Sequence, residues 1–206
     1  MYRTPPDNSP NNSSEGKCGA DSTQGDVPPA NHSAEIPQYI EVGPLNVEEF
    51  QVINSLGVGR SGTVFKALWH GKEVALKLCD IEHNPEYEQE LLTEIEVYNQ
   101  LQDLQRWYIP RRIMAGYYGY LFLGIVIEVV GSPIEVDELK DSERSKIVKA
   151  LSKIHQSGFL HNDNILAQRG KGGFRPCFID FAFSMRNSDN TLFSDEMSDL
   201  KQLLNS

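Results

Sequence analysis

Residues 57–62 read Gly-Val-Gly-Arg-Ser-Gly, and strand-like sequence lies on both sides of them. Glycines at this spacing let a backbone take open turns and come close to a ligand. The same G-x-G-x-x-G pattern opens a dinucleotide-binding fold when a helix follows it. Here Thr63 to Trp69 follows, rich in β-branched and aromatic residues, and reads as a strand. The turn therefore joins two antiparallel strands, Phe50–Leu56 and Thr63–Trp69. His70-Gly71-Lys72 makes a second tight turn into a third strand, Glu73–Cys79. The folded part of the chain opens as an antiparallel meander.

Beyond the meander the apolar period changes. Leu91, Ile95, Tyr98 and Leu101 share one face at helical spacing, which predicts a helix over 85–104. Two strand-like runs follow, over 113–118 and 120–130, and Gly131-Ser132-Pro133 breaks the chain. Ile147, Leu151 and Ile154 predict a helix over 141–156, with Gly158 placed to end it. Phe178-Ile179 reads as a short strand, and a last helix is expected over 194–204. Internal repeats are absent. Strands first and helices later make the class α+β.

The 206 residues suffice for one domain or a small two-lobed unit. Residues 1–45 hold seven of the eleven prolines, with many Asn, Ser and Gly, and read as a disordered tail. Folding is expected to start near Leu45-Asn46-Val47. A net charge of −10 without a basic stripe argues against a nucleic-acid partner. The small basic group of Arg106, Arg111 and Arg112 reads as a solvated surface feature. Leu121 to Ile127, the longest apolar run, is too short to cross a bilayer. No hydrophobic segment follows the start methionine, so no secretory signal is expected. Three widely spaced cysteines, Cys18, Cys79 and Cys177, fit reduced thiols and a cytoplasmic or nuclear location.

Several charged residues sit where chemistry is plausible. Alternation along Val74-Ala75-Leu76-Lys77 puts Ala75 and Lys77 on one face. A lysine on an apolar strand face needs an anionic partner, either phosphate oxygens or a carboxylate. The alternative is an edge-strand lysine pointing to water. Glu94, beside the apolar stripe of the first helix, is one candidate partner, and Glu90 competes with it. Farther on lie His161-Asn162-Asp163-Asn164 and, 17 residues after Asp163, Asp180. Each aspartate alone is more commonly a solvated loop carboxylate, and it is their shared order with the other motifs that points to chemistry.

Taken in order, the glycine turn, the V-A-x-K strand, the acidic helix, the apolar-Glu-apolar run, H-x-D and D-F-x resemble the eukaryotic protein kinase family over about residues 50–200. The resemblance implies a two-lobed α+β fold. An antiparallel β N-lobe with one helix would span 46–130, and a shortened, mainly helical C-lobe 131–206. It implies ATP and Mg2+ as cofactors. Gly57, Gly59 and Gly62 would cover the phosphates. Leu56 and Val64 would sandwich adenine beside Ala75. Ile127 would be the gatekeeper, and Glu128, Val129 and Val130 the hinge. Lys77 would hold phosphates and pair with Glu94. Asp163 would orient and deprotonate the acceptor hydroxyl, and Asp180 with Asn164 would ligate the metal.

Three features depart from that pattern. Asn164 follows Asp163 directly, where the family has four intervening residues, so the base and the metal-binding Asn become neighbours. Ala182 replaces the usual glycine after Asp180-Phe181. Only 26 residues follow Asp180, without an A-P-E motif. Asp199 would correspond to the aspartate that braces the catalytic loop, or would be an ordinary exposed acidic residue. The expected activity is transfer of the ATP γ-phosphate to a protein Ser/Thr hydroxyl. The alternatives are a nucleotide-binding or scaffolding pseudokinase and a small-molecule kinase. The protein substrate and oligomeric state are not legible in the sequence.

Overall fold

The expected meander forms one half of a larger sheet in the computed structural model, which describes residues 42–162, 165–170 and 173–205. Strands β1 (Gly43–Pro44), β2 (Phe50–Gly59), β3 (Gly62–Trp69) and β4 (Lys72–Asp80) come first. Helix α1 (Glu88–Gln100) follows, then strands β5 (Arg112–Tyr118) and β6 (Phe122–Glu128). The six strands form one sheet in the order β1-β5-β6-β4-β3-β2. All pairs are antiparallel except β1 with β5.

The sheet begins earlier than the sequence suggests. Gly43 and Pro44 pair with Gly116 and Tyr117, and Leu45 is buried. Residues 1–41 of the expected disordered tail lie outside the described residues. Both glycine-turn strands are longer than their apolar pattern, because β2 and β3 stay paired up to Gly59 and Gly62.

Period-2 alternation on β4 sorts its side chains to two faces. Val74 and Leu76 join Leu45, Phe50, Ala67 and Val126 in a small core. Ala75 and Lys77 emerge on the opposite face. Helix α1 packs against the sheet, with Leu91, Ile95, Val97 and Tyr98 buried beside Leu123 and Ile125 of β6. It is shorter than the predicted 85–104. Pro85–Tyr87 and Gln102–Leu104 tighten into 3-10 turns at its two ends.

The rest of the chain is β7 (Ser132–Pro133), α2 (Asp141–Gln156), β8 (Phe159–Leu160), β9 (Ile165–Gly170), β10 (Gly173–Phe178), β11 (Met185–Arg186) and α3 (Asn190–Leu204). Helix α2 has the predicted bounds. The Glu143 carboxylate accepts from the Lys140 backbone N–H at its start, and Gly158, at φ 82°, turns the chain after its end. Helix α3 starts four residues before the expected 194, because Asp189 caps it by accepting from the Thr191 N–H. This half is less purely helical than expected. β10, β9 and β7 form a three-stranded antiparallel sheet, and β11 pairs with β8. The glycine-rich stretch Gly170-Lys171-Gly172-Gly173 between two apolar runs explains the β9–β10 hairpin. One continuous core joins α1 to Ile147, Leu151 and Ile154 of α2 and to Phe178 and Phe181. None of the described helices is long and apolar enough to cross a membrane.

Candidate functional site

A cleft of about 540 Å³ opens between the glycine turn and the segment after β6. Leu56, Gly57, Gly59, Gly62 and Val64 line one wall. Ala75 and Lys77 form the inner face, and Ile127 through Pro133 form the other side. Ile179 and Asp180 close the far end. The structure thus brings together Leu56, Gly57, Gly59, Gly62, Val64, Ala75, Lys77, Glu128, Val130 and Asp180 around one space. Asp163 and Asn164, the expected base and second metal ligand, lie outside the described residues. They join Asn162 to the start of β9.

At the inner end, the Lys77 ammonium donates to Glu94 (Nζ···Oε2 2.7 Å) and to Asp180 (Nζ···Oδ1 2.9 Å). Lys77 and Glu94 are buried. The competing Glu90 is instead paired with Arg60. Burial works against a charge on Lys77. The two carboxylates outweigh it and hold the ammonium well above the ordinary lysine range. Burial pushes the Glu94 carboxyl up, opposed by Lys77 and by the Phe181 backbone N–H, which donates to it.

Asp180 sits at φ 61°, a left-handed conformation that strains a non-glycine residue. Its neighbour holds it there. Phe181 is fully buried and packs edge-on against Tyr98 of α1 (centroids 5.2 Å apart) and His161 (4.7 Å). His161 is itself buried, and its Nε2 lies 2.9 Å from the Ile179 carbonyl. A carbonyl only accepts, so Nε2 carries the proton in that bond. The H-x-D histidine therefore acts as a strut between its own loop and the chain entering Asp180.

A residue that the sequence reading missed holds this loop from below. Glu196 on α3 accepts from the backbone N–H of His161 (2.9 Å) and of Asn162 (2.6 Å), and it pairs with His155 Nε2 (2.6 Å). Of the two readings of Asp199, brace of the loop or ordinary exposed acidic residue, the structure shows the second: it is exposed. The phase of the helix carries the signal. Glu196 stands four residues before buried Leu200, which is itself four before buried Leu204. A carboxylate in line with an apolar stripe marks an inward-facing position.

A larger hollow of about 760 Å³ lies between α2, α3 and the loop at His161-Asn162. Ile147 and Leu151 of α2 and leucines of α3 line it, with Asp195, Glu196 and Asp199 at its edge. Carboxylates repel phosphate, so the smaller cleft with Lys77 is the better anion site.

Gly62 is sterically required at the end of the glycine turn. A Cβ on it would meet the Leu78 carbonyl oxygen at 2.2 Å, and its φ is 151°. Gly62→Ala is expected to destabilise the chain by about 1–3 kcal/mol, as overpacking against backbone does. Urea denaturation checks this, and an unchanged midpoint would contradict it.

No protein-family model matches the chain. It is 32% identical over 175 residues to "Probable serine/threonine-protein kinase fnkE" of Dictyostelium discoideum, a match covering 71% of this chain and 13% of that protein. It is 24% identical over 129 residues to "Putative serine/threonine-protein kinase/receptor R831" of Acanthamoeba polyphaga mimivirus, covering 58% of this chain and 8% of that protein. The chain thus spans a small part of the length of both curated relatives.

Proposed function

We propose, from the premise that this chain belongs to the protein kinase-like superfamily, that its cleft binds ATP and transfers the γ-phosphate to a protein Ser/Thr hydroxyl. The observation that carries the reading is Lys77, held between Glu94 and Asp180 at the inner end of a cleft roofed by the glycine turn. Leu56, Val64 and Ala75, which line the cleft, would flank an adenine ring. Backbone groups of Glu128 and Val130 would bind its edge, beside Ile127. Lys77 would take the phosphates while Glu94 keeps it in place.

The residues present fit a magnesium ion. One ammonium against two carboxylates leaves the inner end negative, so a triphosphate placed there requires a further cation. Asp180 is only partly buried and holds Lys77 through Oδ1. Mg2+ bound with a nucleotide needs one or two carboxylates from the protein, the rest coming from phosphates and water. Asp180 would hold the ion, with Asn164 as the second expected ligand. When bound, the ion would neutralise charge on the phosphates. Asp163 would orient the acceptor hydroxyl and take its proton.

Calorimetry with ATP and Mg2+, paired with radiolabelled phosphate transfer to generic Ser/Thr substrates, tests the reading. Asp180→Ala is expected to weaken Mg-ATP binding about tenfold or more, and Asp163→Asn to abolish transfer. Failure of the unaltered chain to bind Mg-ATP sinks the reading. The direct Asp163-Asn164 junction favours a second reading, a pseudokinase that binds nucleotide without transfer. Binding without transfer, unchanged by Asp163→Asn, would select it.

A further inference from the structure

The glycine turn has little to hold it in place. Its strand β2 lies at the edge of the sheet and pairs only with β3 among the described residues. That pairing is interrupted twice, between Val52 and Asn54 and between Ser55 and Gly57. Bulges of this kind loosen a ladder. Ser61 at the tip is buried, but Leu56 and Val58 are exposed, so apolar side-chain packing anchors the turn weakly. Glycines add backbone freedom.

One side chain at the tip crosses to the rest of the molecule. Arg60 pairs with Glu90, one helical turn before Glu94 on α1. Its guanidinium also lies 4.5 Å from the centre of the Phe183 ring, three residues after Asp180. The Phe183 carbonyl in turn accepts from the Asn162 side-chain amide (3.1 Å), next to Asp163. Arg60 therefore joins the turn to α1, to the segment after Asp180 and, through that segment, to the loop of His161 and Asn162. Glu90 has reason to keep this partner. Its second carboxylate oxygen is buried without a hydrogen bond among the described residues. Without Arg60, a partly buried carboxylate would lose its paired charge.

We propose that Arg60 is a positioning residue that holds the glycine turn down over the phosphate end of the cleft. For its effect on nucleotide binding, the proposal rests on the ATP reading above. Arg60 acts through the turn and does not line the cleft; its side chain faces α1 and Phe183. An exposed ion pair and an exposed cation–π contact are individually weak. Together they bias a local equilibrium by about 3- to 30-fold, enough to decide whether a loosely anchored hairpin is closed.

Hydrogen exchange on the full chain without nucleotide tests the latch directly. Amides over 58–63 are expected to exchange about 3- to 10-fold faster in Arg60→Ala and in Glu90→Gln, with α2 unchanged. Arg60→Lys, which keeps the charge, is expected to fall between Arg60→Ala and the unaltered chain. The double variant should be no faster than Arg60→Ala, since both changes break one link. Unchanged exchange of the turn, or equal acceleration in α2, overturns the proposal. A second arm compares ATP with adenosine. Arg60→Ala is expected to raise the Kd of ATP about 3- to 10-fold and leave adenosine unaffected; equal losses for both overturn a role at the phosphate end. If the unaltered chain binds no ATP, the ATP reading falls, and the exchange result still decides for or against Arg60.

Discussion

Lys77→Ala is expected to destabilise the chain by about 3–5 kcal/mol, because it strips the compensating cation from a buried carboxylate. Glu94 is fully enclosed and depends on Lys77 for its charge balance. Asp180 loses its Lys77 contact in the same step and sits in a strained conformation. The loss comes from what is left behind rather than from the net strength of the pair. Replacing both partners with neutral groups of similar size therefore costs less than replacing one. The double variant Lys77→Met with Glu94→Gln is expected to recover at least about half of the stability lost in Lys77→Ala. Urea denaturation of the three variants measures this. A loss below about 1 kcal/mol for Lys77→Ala, the range of exposed ion pairs, would show that the pair is solvated and not buried.

The legible parts of the site are those written in local pattern. Alternation on Val74-Ala75-Leu76-Lys77 was enough to place Lys77 on the face of Ala75, and β4 puts both into the cleft. The helical period of α2 was enough for its bounds, since a carboxylate and a glycine mark its ends. The choice between Glu90 and Glu94 was not local. Both lie on α1 one turn apart, and only the register of β4 against β6, with α1 packed beside them, sets which one reaches Lys77. Arg60 settles the other, a pairing across 30 residues that no spacing rule foresees. The β9–β10 hairpin was hidden for a different reason. Its first strand begins directly after the polar cluster His161–Asn164, whose residue types favour a loop, and its turn signal lies later, at residues 170–173. The direct Asp163-Asn164 junction has a structural counterpart in this early start: Ile165 is already paired with Phe178.

Glu196→Ala is expected to cost about 2–4 kcal/mol near neutral pH, since it removes a charged acceptor from two backbone donors. Those donors belong to His161 and Asn162, and Asn162 lies at φ 64°, in the left-handed region that Asn tolerates better than most residues. Among the described residues the loop is also tied by bonds from His161 Nε2 to the Ile179 carbonyl, from Ser184 Oγ to the His161 carbonyl and from Asn162 to the Phe183 carbonyl. None of these three bonds satisfies the two N–H groups. The effect has a definite dependence on pH. Burial acts to raise the Glu196 carboxyl, but the His155 side chain and the Asn162 N–H outweigh it and hold the group below the ordinary carboxylate range. A carboxylate depressed in the folded state contributes fully above its unfolded value of about 4.3 and loses that contribution as pH falls through the folded one. The gap in stability between the unaltered chain and Glu196→Ala should therefore be full at pH 7 and shrink in acid. Glu196→Gln, whose amide oxygen can still accept from one of the two N–H groups, should lose less and show no such shrinkage from its own side chain. Chemical denaturation at a series of pH values reads all three. A gap that stays constant down to the acid limit of folding would mean that the charge on Glu196 does not hold the loop, and that α3 supports His161 and Asn162 through apolar packing alone.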